Sequence, residues 1–329
     1  MKYLITGGLG FIGTKVIEKL SQEGHTVTCV DNKDTYGIIS PVELNKLIAW
    51  RTRNWDHKNV SVINGDLLDR DVCLRAFKTV PEIVIHMATY PRAKIVDQDP
   101  ILGIPKVIDT TTNLLWHASK FGAKKFVYIS SSMVYGNFTD SVCEDAECRP
   151  QGQYGIMKLA GEWLVRDYTR RTGMAHVIIR PSAVYGPLDV EDRVISKFLL
   201  AALRGEVLRV KGAAETLDFT FVDDAADGIV AAALRDQANN NTYNITKSHS
   251  HTLLQAAELA VSIVGSGRIE VQDRDQDFPS RGSLNIDAAR QDLGFNPQVD
   301  IEQGFEIYHD WLRQSTYWKQ HLKPQSCPA

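Results

Sequence analysis

The sequence has no long uninterrupted apolar run. No stretch approaches the 18 apolar residues that a membrane-spanning helix needs, and the apolar run in the opening MKYLITGG is too short for a secretory signal. We therefore expect a soluble, cytoplasmic protein with no membrane partner.

The sequence also has few cysteines and a small net charge. The five cysteines are scattered along the chain, and no two of them form a C-x-x-C motif. This usage is typical of a reducing compartment, and we expect no metal site. The 37 basic and 40 acidic side chains give a net charge of −3, which argues against a nucleic-acid partner bound through a strongly positive surface.

A glycine-rich turn stands between a strand pattern and a helix pattern at the N-terminus. KYLIT (2–6) is a β-type run, GGLGFIG follows it, and TKVIEKLSQEG then has apolar residues at helical spacing. Gly8, Gly10 and Gly13 fit G-x-G-x-x-G, whereas Gly7, Gly10 and Gly13 fit the variant G-x-x-G-x-x-G. Such a turn lets backbone N–H groups approach a pyrophosphate at the positive end of a helix dipole. Glycine turns also occur in ordinary α/β connections, so the motif needs its context.

The next strand pattern supplies that context. HTVTCVD ends at Asp31, which lies 18 residues after Gly13. An acid at this place can bind both ribose hydroxyls of an adenosine and repels a 2′-phosphate. The order of strand, turn, helix, strand and acid therefore predicts a dinucleotide site and favours NAD over NADP.

Strand-like and helical patterns alternate along the rest of the chain. The strand-like runs are VSVINGD (60–66), IVIHMAT (83–89), KKFVYISS (124–131), AHVIIRPS (175–182) and TYNIT (242–246). This alternation predicts an α/β fold with a Rossmann-type, doubly wound parallel sheet. We expect residues 1–180 to form the NAD-binding domain, 218–246 to return to it, and 181–329 to form mostly a smaller, irregular substrate lobe. Residues 34–59 are a long connection, predicted to be partly helical and without an assigned role.

Tyr154 and Lys158 are spaced i, i+4 in YGIMK and share one face of a predicted helix. A phenol with an ordinary pKa near 10 acts as a base at neutral pH only if its pKa falls by about three units, and a nearby ammonium in a partly buried site lowers it. The same spacing is common by chance on amphipathic helices. Its place after a dinucleotide fold and a serine-rich strand end, SSSMVYG (130–136), favours a catalytic pair assisted by a serine hydroxyl, although three serines also suit a polar turn.

Seven short motifs, taken in order, resemble one enzyme family. They are TGGLGFIG, GDLLD (65–69), HMAT (86–89), SSSMVYG, YGIMK, RPSAVYGP (180–187) and LDFTFVDDAADGI (217–229). Together they make the chain similar to the extended short-chain dehydrogenase/reductases, specifically the NAD-dependent sugar-nucleotide epimerase/dehydratase family. The resemblance covers most of the chain, from residue 3 to about residue 310.

The resemblance implies roles for individual residues. Ser131, Tyr154 and Lys158 are expected to be catalytic, and Lys158 also to hold the nicotinamide ribose of the NAD cofactor. The expected cofactor contacts are Gly7, Gly10, Phe11, Ile12, Gly13, Asp31, Asn32, Asp66, Leu67, Ala88, Tyr154 and Lys158. The expected substrate contacts are Ser131, Ser132, Arg193 and Arg274.

The chain departs from the family patterns at positions that separate activities. Family dehydratases carry Asp-Glu before the Tyr-Gly motif and related decarboxylases usually carry Glu just before the valine, whereas this chain has Ser132 and Met133. An elimination needs an additional acid and base, so a 4,6-dehydratase is not expected. Two residues that contact the nucleotide diphosphate in many relatives, an Asn and an Arg, are replaced here by Ala183 and Leu217.

Three arginines are candidate contacts for an anionic substrate. Arg274 resembles the remaining family arginine of the diphosphate site, Arg193 lies where the family lines the substrate lobe, and Arg92 follows HMAT. A guanidinium can pair bidentately with phosphate. Each of the three also suits a solvated surface position.

These observations predict an NAD-dependent nucleotide-sugar epimerase, with a UDP-hexose or UDP-hexuronic acid 4-epimerase as the nearest model. The replaced diphosphate contacts leave open a net NAD-dependent oxidoreductase, such as a sugar-nucleotide ketoreductase or dehydrogenase. A non-catalytic NAD-binding scaffold needs the glycine turn but not Ser131, Tyr154 and Lys158. The family commonly dimerises through helices of its first lobe, so the resemblance also implies a homodimer.

Other conspicuous segments are interpreted structurally. HSH (249–251) suits a loop and helix start better than a metal site, and WRTRNW (50–55) suits local packing. The segment HDWLRQSTYWKQHLKP (309–324) predicts an amphipathic helix. His86 is predicted to be a strand residue without a catalytic role.

Overall fold

A computed structural model describes residues 1–90, 92–139, 141–189 and 193–315. The strands of these residues are β1 (Lys2–Thr6), β2 (Thr26–Asp31), β3 (Val60–Asn64), β4 (Ile83–His86), β5 (Lys125–Ile129), β6 (Ala175–Pro181), β7 (Val184–Tyr185), β8 (Val207–Lys211), β9 (Thr216–Asp218), β10 (Thr220–Phe221), β11 (Asn241–Ile245), β12 (Ser250–Thr252) and β13 (Arg268–Gln272). The α-helices are α1 (Phe11–Gln22), α2 (Pro41–Thr52), α3 (Arg70–Phe77), α4 (Ala93–Gln98), α5 (Pro100–Ile104), α6 (Thr110–Lys120), α7 (Gln153–Thr172), α8 (Val194–Leu203), α9 (Val222–Leu234), α10 (Leu253–Val264), α11 (Asp287–Leu293) and α12 (Ile301–Gln314). A π-helical turn (Pro105–Asp109) and two 3₁₀ turns (Ser132–Tyr135 and Asp236–Ala238) complete the helical segments of the described chain.

Seven strands of the described residues form one parallel sheet in the order β11-β6-β5-β4-β1-β2-β3. Strand β1 pairs with β2 on one side and with β4 on the other, so Tyr3 lies opposite Val27 and Ile83. The sheet contains every strand-like run predicted from the sequence, including β11, which pairs with β6. The predicted α/β fold is therefore confirmed, and the carboxyl ends of β1, β2, β4 and β5 meet at one edge.

Helices cover both faces of the sheet. On one face, α1 buries Val16, Ile17 and Leu20 in a core that also contains side chains of α9 and α11. On the other face, α3, α6 and α7 pack around Phe77 and Leu114. Covering both faces explains why the central strands are continuously apolar rather than alternating. No helix within the described ranges is long and apolar enough to cross a membrane.

A second apolar core lies beside the sheet. Its side chains come from α8, α10 and α12 and from the parallel pair β8 and β13, with Phe305 and Tyr308 among the fully buried residues. The HSH run, expected to be a loop and helix start, contributes to the short strand β12, which pairs with β9, and α10 begins directly afterwards with Thr252 as its cap. Of the predicted C-terminal amphipathic helix, residues up to Gln314 belong to α12, and residues 316–324 lie outside the described ranges.

Helix α2 joins the two cores. Leu47 is buried in the second core, whereas the neighbouring Ile48 packs against the sheet core. At the end of α2 the Arg51 guanidinium donates hydrogen bonds to the carbonyl oxygens of Leu9 (3.0 Å) and Leu188 (2.9 Å). Trp55 is buried, and its indole N–H donates to the Thr14 carbonyl at 2.9 Å. The long connection after β2 therefore packs against both parts of the molecule.

A buried ion pair lies between α7 and β6. The Arg180 guanidinium donates to both carboxylate oxygens of Glu162, at 2.9 and 2.7 Å, and both side chains are nearly inaccessible to solvent. Glu162 also accepts the Ser130 hydroxyl at 2.6 Å and an Arg166 N–H at 3.3 Å. Because a buried carboxylate is stable only when its oxygens are paired, this cluster fixes α7 against the ends of β5 and β6.

We expect Glu162→Gln and Arg180→Met each to lower the free energy of unfolding by about 3–5 kcal/mol, because each leaves a buried charge unpaired. The double variant Glu162→Gln/Arg180→Met should lose clearly less than the sum of the two single effects. Urea denaturation measures all three changes.

The matched control is Asp167→Asn, which removes an exposed carboxylate from its contacts with Arg170 and Arg171 and should change stability by less than about 1 kcal/mol. Strictly additive losses in the double variant would show that the two side chains are not energetically coupled.

Candidate active site

The glycine positions of the turn between β1 and α1 leave no room for larger side chains. Gly7 has a positive φ of 68°, and its N–H donates to the Val30 carbonyl at 2.8 Å. A Cβ on Gly13 would overlap the Gly7 carbonyl oxygen. Helix α1 begins after Gly10 without a side-chain cap, so its first N–H groups are available to an anion. These features fit the pyrophosphate of a dinucleotide.

A cleft of about 310 Å³ opens at this edge of the sheet. Its walls include the glycine turn, the residues after β2, β3, β4, β5 and β6, and part of α2. All predicted cofactor contacts line it, namely Gly7, Gly10, Phe11, Ile12, Gly13, Asp31, Asn32, Asp66, Leu67, Ala88, Tyr154 and Lys158. Ligand sites of doubly wound folds lie at the same place, outside the carboxyl ends of the strands.

Asp31 stands at the end of β2 and binds two backbone segments. One carboxylate oxygen accepts the Leu9 N–H at 3.0 Å and the other accepts the Lys33 N–H at 2.8 Å. Burial raises the pKa of this carboxyl, and the same two N–H groups oppose that rise. Asp31 thus ties the glycine turn to the chain beyond β2, at the position where an acid can bind an adenosine ribose.

Asp66 follows β3 and binds a lysine from the other wall of the cleft. Lys106, in the π-helical turn, donates to its carboxylate at 2.6 Å, and the Asn32 side chain donates at 3.2 Å. Burial alone raises the pKa of Asp66, but the hydrogen bonds from Lys106, Leu68 N–H and Asn32 outweigh it and hold the pKa below its ordinary value. Asp66 is therefore ionised at neutral pH.

The three predicted catalytic side chains line the opposite end of the cleft. Ser131 follows β5, and its hydroxyl accepts the Met133 N–H at 3.2 Å. Tyr154 lies in the first turn of α7, where its backbone N–H donates to Asp97 at 2.9 Å. The Lys158 ammonium donates to the Ile129 carbonyl at 2.9 Å and lies 5.9 Å from the centre of the Tyr154 ring. The structure therefore brings the hydroxyl, the phenol and the ammonium together.

Lys158 is almost completely buried, with 3% of its surface exposed. Burial lowers its pKa to about 7, although the nearby Glu162 carboxylate favours the charged form. The charge of this side chain is thus responsive to whatever fills the cleft.

Only some of the predicted substrate contacts line the cleft. Arg193 lines the cleft, and its guanidinium donates to the Val184 carbonyl at 3.1 Å. Ser132 does not line it, since its hydroxyl is buried and donates to Ser182 at 3.2 Å. Arg274 also lies outside the lining, because it donates to Ser280 and Phe278 and pairs with Glu215 at 3.4 Å.

Three histidines that the sequence analysis singled out do not line the cleft. His86 is buried between the hydroxyls of Thr6 and Thr111, and burial lowers its pKa to about 3, with a smaller effect from Lys158. The rings of His249 and His251 meet edge-on, with 4.6 Å between their centroids. In the part of the chain that the structure describes, no group of three or more His, Cys, Asp or Glu residues is placed to hold a metal ion.

Several cleft residues were not predicted from the sequence. Lys33, Asp34, Thr35, Tyr36, Ile38 and Ile39 line the cleft, as do Arg51 and Lys106. They come from the connection after β2 and from the π-helical turn, whose positions depend on contacts distant in sequence. The only local signal was the polar run NKDT immediately after Asp31.

Fold and site together define a dinucleotide-dependent α/β enzyme. The model of the NAD dependent epimerase/dehydratase family matches residues 3–246, and the chain belongs to this family. The family resemblance inferred from the sequence motifs is confirmed.

The relatives with similar sequences include decarboxylases. The chain is 30% identical over 331 residues to UDP-glucuronic acid decarboxylase 1 of Xenopus tropicalis, a match that covers 95% of this chain and 72% of the relative. It is 28% identical over 332 residues to the UDP-N-acetyl-alpha-D-glucosaminuronate decarboxylase of Bacillus cytotoxicus, with 94% and 97% of the two chains covered.

Solved structures with the same fold include epimerases. The UDP-glucuronic acid 4-epimerase of Bacillus cereus, in complex with UDP-glucuronic acid and NAD, superposes with a TM-score of 0.87 at 26% identity, covering 95% of this chain and 99% of that one. The UDP-glucose 4-epimerase of Thermotoga maritima with UDP-glucose gives 0.85 at 26% identity and the same coverage. The predicted NAD cofactor is thereby confirmed.

We expect Lys158→Met to stabilise the NAD-free protein while abolishing its activity. The folded-state pKa near 7 lies below the ordinary value of 10.5, so the buried ammonium opposes folding fully below pH 7 and progressively less as the pH rises toward 10.5. The stability advantage of the variant should therefore shrink by about 1.4 kcal/mol per pH unit between pH 7 and 9.

Urea denaturation at pH 6, 7.5 and 9 measures this advantage. Lys124→Met, at an exposed lysine paired with Glu82, serves as the control and should show no such trend. A stability difference between wild type and Lys158→Met that is constant across this pH range would contradict the assignment of a depressed pKa.

Proposed function

We propose that the protein is an NAD-dependent nucleotide-sugar 4-epimerase acting on a UDP-hexose or UDP-hexuronic acid. The observation that carries the proposal is the distribution of groups along the cleft. Ser131, Tyr154 and Lys158 lie on the β5 and β6 side of β1. Among the described lining residues the carboxylates are Asp31, Asp34 and Asp66, which lie on the β2 and β3 side.

This distribution suits hydride chemistry better than elimination. Removal of water from a 4-ketosugar needs a further acid and base beside the sugar, and the carboxylates of the described lining lie at the adenosine end. Proton exchange at a single hydroxyl needs only one base, and Tyr154 beside Lys158 is the proposed base. A ketone that turns over before it is reduced again changes the configuration at C4.

In the proposed mechanism NAD, when bound, supplies the hydride acceptor and later the hydride donor at C4. Tyr154 takes the proton of the C4 hydroxyl and later returns it to the ketone oxygen. Lys158 stabilises the tyrosinate electrostatically, and Ser131 donates a hydrogen bond to the same sugar oxygen. The residues around the glycine turn together with Asp31, Asn32, Asp66, Leu67 and Ala88 hold the dinucleotide, and Arg193 is the proposed contact for the anionic part of the substrate.

A decarboxylase is the second candidate, because named decarboxylases are among the relatives at about 30% identity. The 4-ketone of a hexuronic acid is a β-keto acid, whose C5–C6 bond can break with release of CO₂ and protonation at C5. Against it, Ser132 and Met133 stand where the related decarboxylases usually carry a Glu beside the valine, and neither side chain lines the cleft.

We also propose a homodimer formed through α5, α6 and α7. Several large apolar side chains on these helices are exposed, with Ile101 81%, Trp163 64% and Trp116 45% accessible. Helix α7 packs against both α5 and α6, and exposed apolar side chains of this size are typical of a protein interface.

The proposed reaction is tested by incubating the purified protein with UDP-glucose, UDP-glucuronate and their N-acetylamino analogues and following products by NMR. We expect interconversion of C4 epimers without net NADH formation, and a loss of about 100-fold or more for Tyr154→Phe. Tyr168→Phe, on the same helix but outside the cleft lining, should retain activity. CO₂ with a UDP-pentose would establish the decarboxylase instead, and stoichiometric NADH would establish a net dehydrogenase.

The proposed dimer is tested by size-exclusion chromatography with light scattering. We expect the mass of a dimer for the wild type and a shift toward the monomer for Trp163→Asp, because a carboxylate at the centre of an apolar interface is costly to bury. Val271→Asp, at an exposed residue of β13, should remain dimeric. A monomeric wild type would exclude the proposed dimer.

A further inference from the structure

Residues 33–39, here called the strap, cross the dinucleotide cleft. They begin directly after Asp31 and Asn32 at the end of β2, and six of the seven line the cleft. In the sheet, β1 lies between β2 and β4. A chain that leaves β2 and reaches the residues after β4 therefore passes in front of the carboxyl end of β1, where the glycine turn begins.

Tyr36 makes the far contact of the strap. Its hydroxyl donates to the Thr89 carbonyl, three residues beyond β4, at 3.3 Å. Its ring meets the Tyr90 ring edge-on, with 4.9 Å between centroids and 77° between planes. Tyr90 is buried with Met157 of the catalytic helix, and the partly buried Tyr36 and Tyr154 rings pack against this cluster. The strap thus connects the adenosine side of the cleft to the catalytic side.

The strap has a strained backbone. Lys33 and Tyr36 have positive φ values of 54° and 50°, a conformation that costs a non-glycine residue free energy. Short side-chain contacts maintain it, since Asn32 accepts the Asp34 N–H at 3.1 Å and Asp34 accepts the Tyr36 N–H at 2.8 Å. Such strain is typical of ligand clamps and switch segments.

Both ends of the strap are firmly held. At one end, Asp31 binds the Lys33 N–H and the glycine turn. At the other, Ser40 and Glu43 form the capping box of α2, and Leu47 anchors that helix in the second core. Between these anchors, the hydroxyl and the ring of Tyr36 join the strap to the opposite wall of the cleft.

We propose that Tyr36 is a positioning residue that latches the strap over bound NAD and thereby controls entry and exit of the dinucleotide. A ligand whose pyrophosphate lies at the glycine turn is enclosed between that turn and the strap, so its passage in either direction requires the contacts of Tyr36 to break. The ligand class is the nicotinamide dinucleotide on which this family depends.

The latch has a consequence that rests on the proposed function. In a redox-neutral epimerisation the sugar would lose a hydride from C4 to the cofactor and the hydroxyl proton to Tyr154, and the hydride would have to return from the same cofactor molecule. Release of the reduced cofactor before the hydride returns would leave the sugar as its ketone. Retention of the cofactor by the strap allows the oxidation and the later reduction of the sugar to take place in the same cleft.

The test measures NADH exchange without any sugar, so its failure is separate from failure of the proposed function. The protein is loaded with NADH, and release into excess NAD⁺ and binding after mixing are followed by NADH fluorescence in a stopped-flow instrument. We expect Tyr36→Ala to accelerate release about tenfold and Tyr36→Phe, which keeps the ring, about threefold. Because the latch controls passage in both directions, binding should also accelerate in Tyr36→Ala.

Gly37→Ala tests the strap without touching Tyr36. Gly37 has a φ of 69°, and a Cβ there would meet no atom within 4 Å, so alanine disfavours the strap backbone without a clash. We expect faster release in this variant as well. Tyr168→Phe is the matched control and should exchange NADH as the wild type does, and a cooperative thermal unfolding transition establishes that each variant is folded.

Two results would overturn the proposal. One is exchange within twofold of the wild type in both Tyr36→Ala and Gly37→Ala. The other is faster release with an unchanged binding rate in Tyr36→Ala, which identifies Tyr36 as an ordinary contact rather than a latch.

Discussion

The catalytic end of the cleft depends on the ion pair and hydrogen bonds that the buried Glu162 carboxylate forms. Its oxygens accept hydrogen bonds from Arg180 of β6 and from the Ser130 hydroxyl at the end of β5, and Glu162 itself belongs to α7. Three elements that are far apart in sequence therefore meet at one charge. Because the ion pair is shielded from water, its geometry is enforced by the high cost of separating the charges.

Glu162 determines where the reacting groups stand. Ser131 is the residue after Ser130, and Lys158 lies one helical turn before Glu162. Fixing the carboxylate fixes the rotation of α7 about its axis, which directs Tyr154 and Lys158 toward the carboxyl ends of the strands. The same charge favours the ammonium form of Lys158 against the effect of burial. Stability and catalytic geometry thus share one cluster of side chains.

The sequence predicted those parts of the molecule whose signals are local. Strand runs, the glycine turn and the i, i+4 spacing of Tyr154 and Lys158 are determined within a few residues, and the structure places each as expected. Positions that depend on distant contacts were not predictable. The strap lines the cleft because Tyr36 reaches Thr89, and Lys106 enters it because Asp66 binds it across the cleft. Arg274 is the opposite case. The sequence motif assigned this side chain to the substrate, whereas in the structure it pairs with Glu215 and donates a hydrogen bond to Ser280.

Helix α2 connects the glycine turn with the second core. Arg51 touches the carbonyl of Leu9 in the glycine turn and that of Leu188 beside the second core, while Leu47 and Ile48 pack into different cores. A displacement of one core is therefore transmitted to the other through a short, rigid helix. In the proposed epimerase, whose sugar we expect beside the second core, such a displacement would link sugar binding to NAD binding, and by reciprocity each ligand would change the affinity of the other by the same factor. We therefore expect substitutions that adapt the second core to a new sugar to change the affinity for NAD as well.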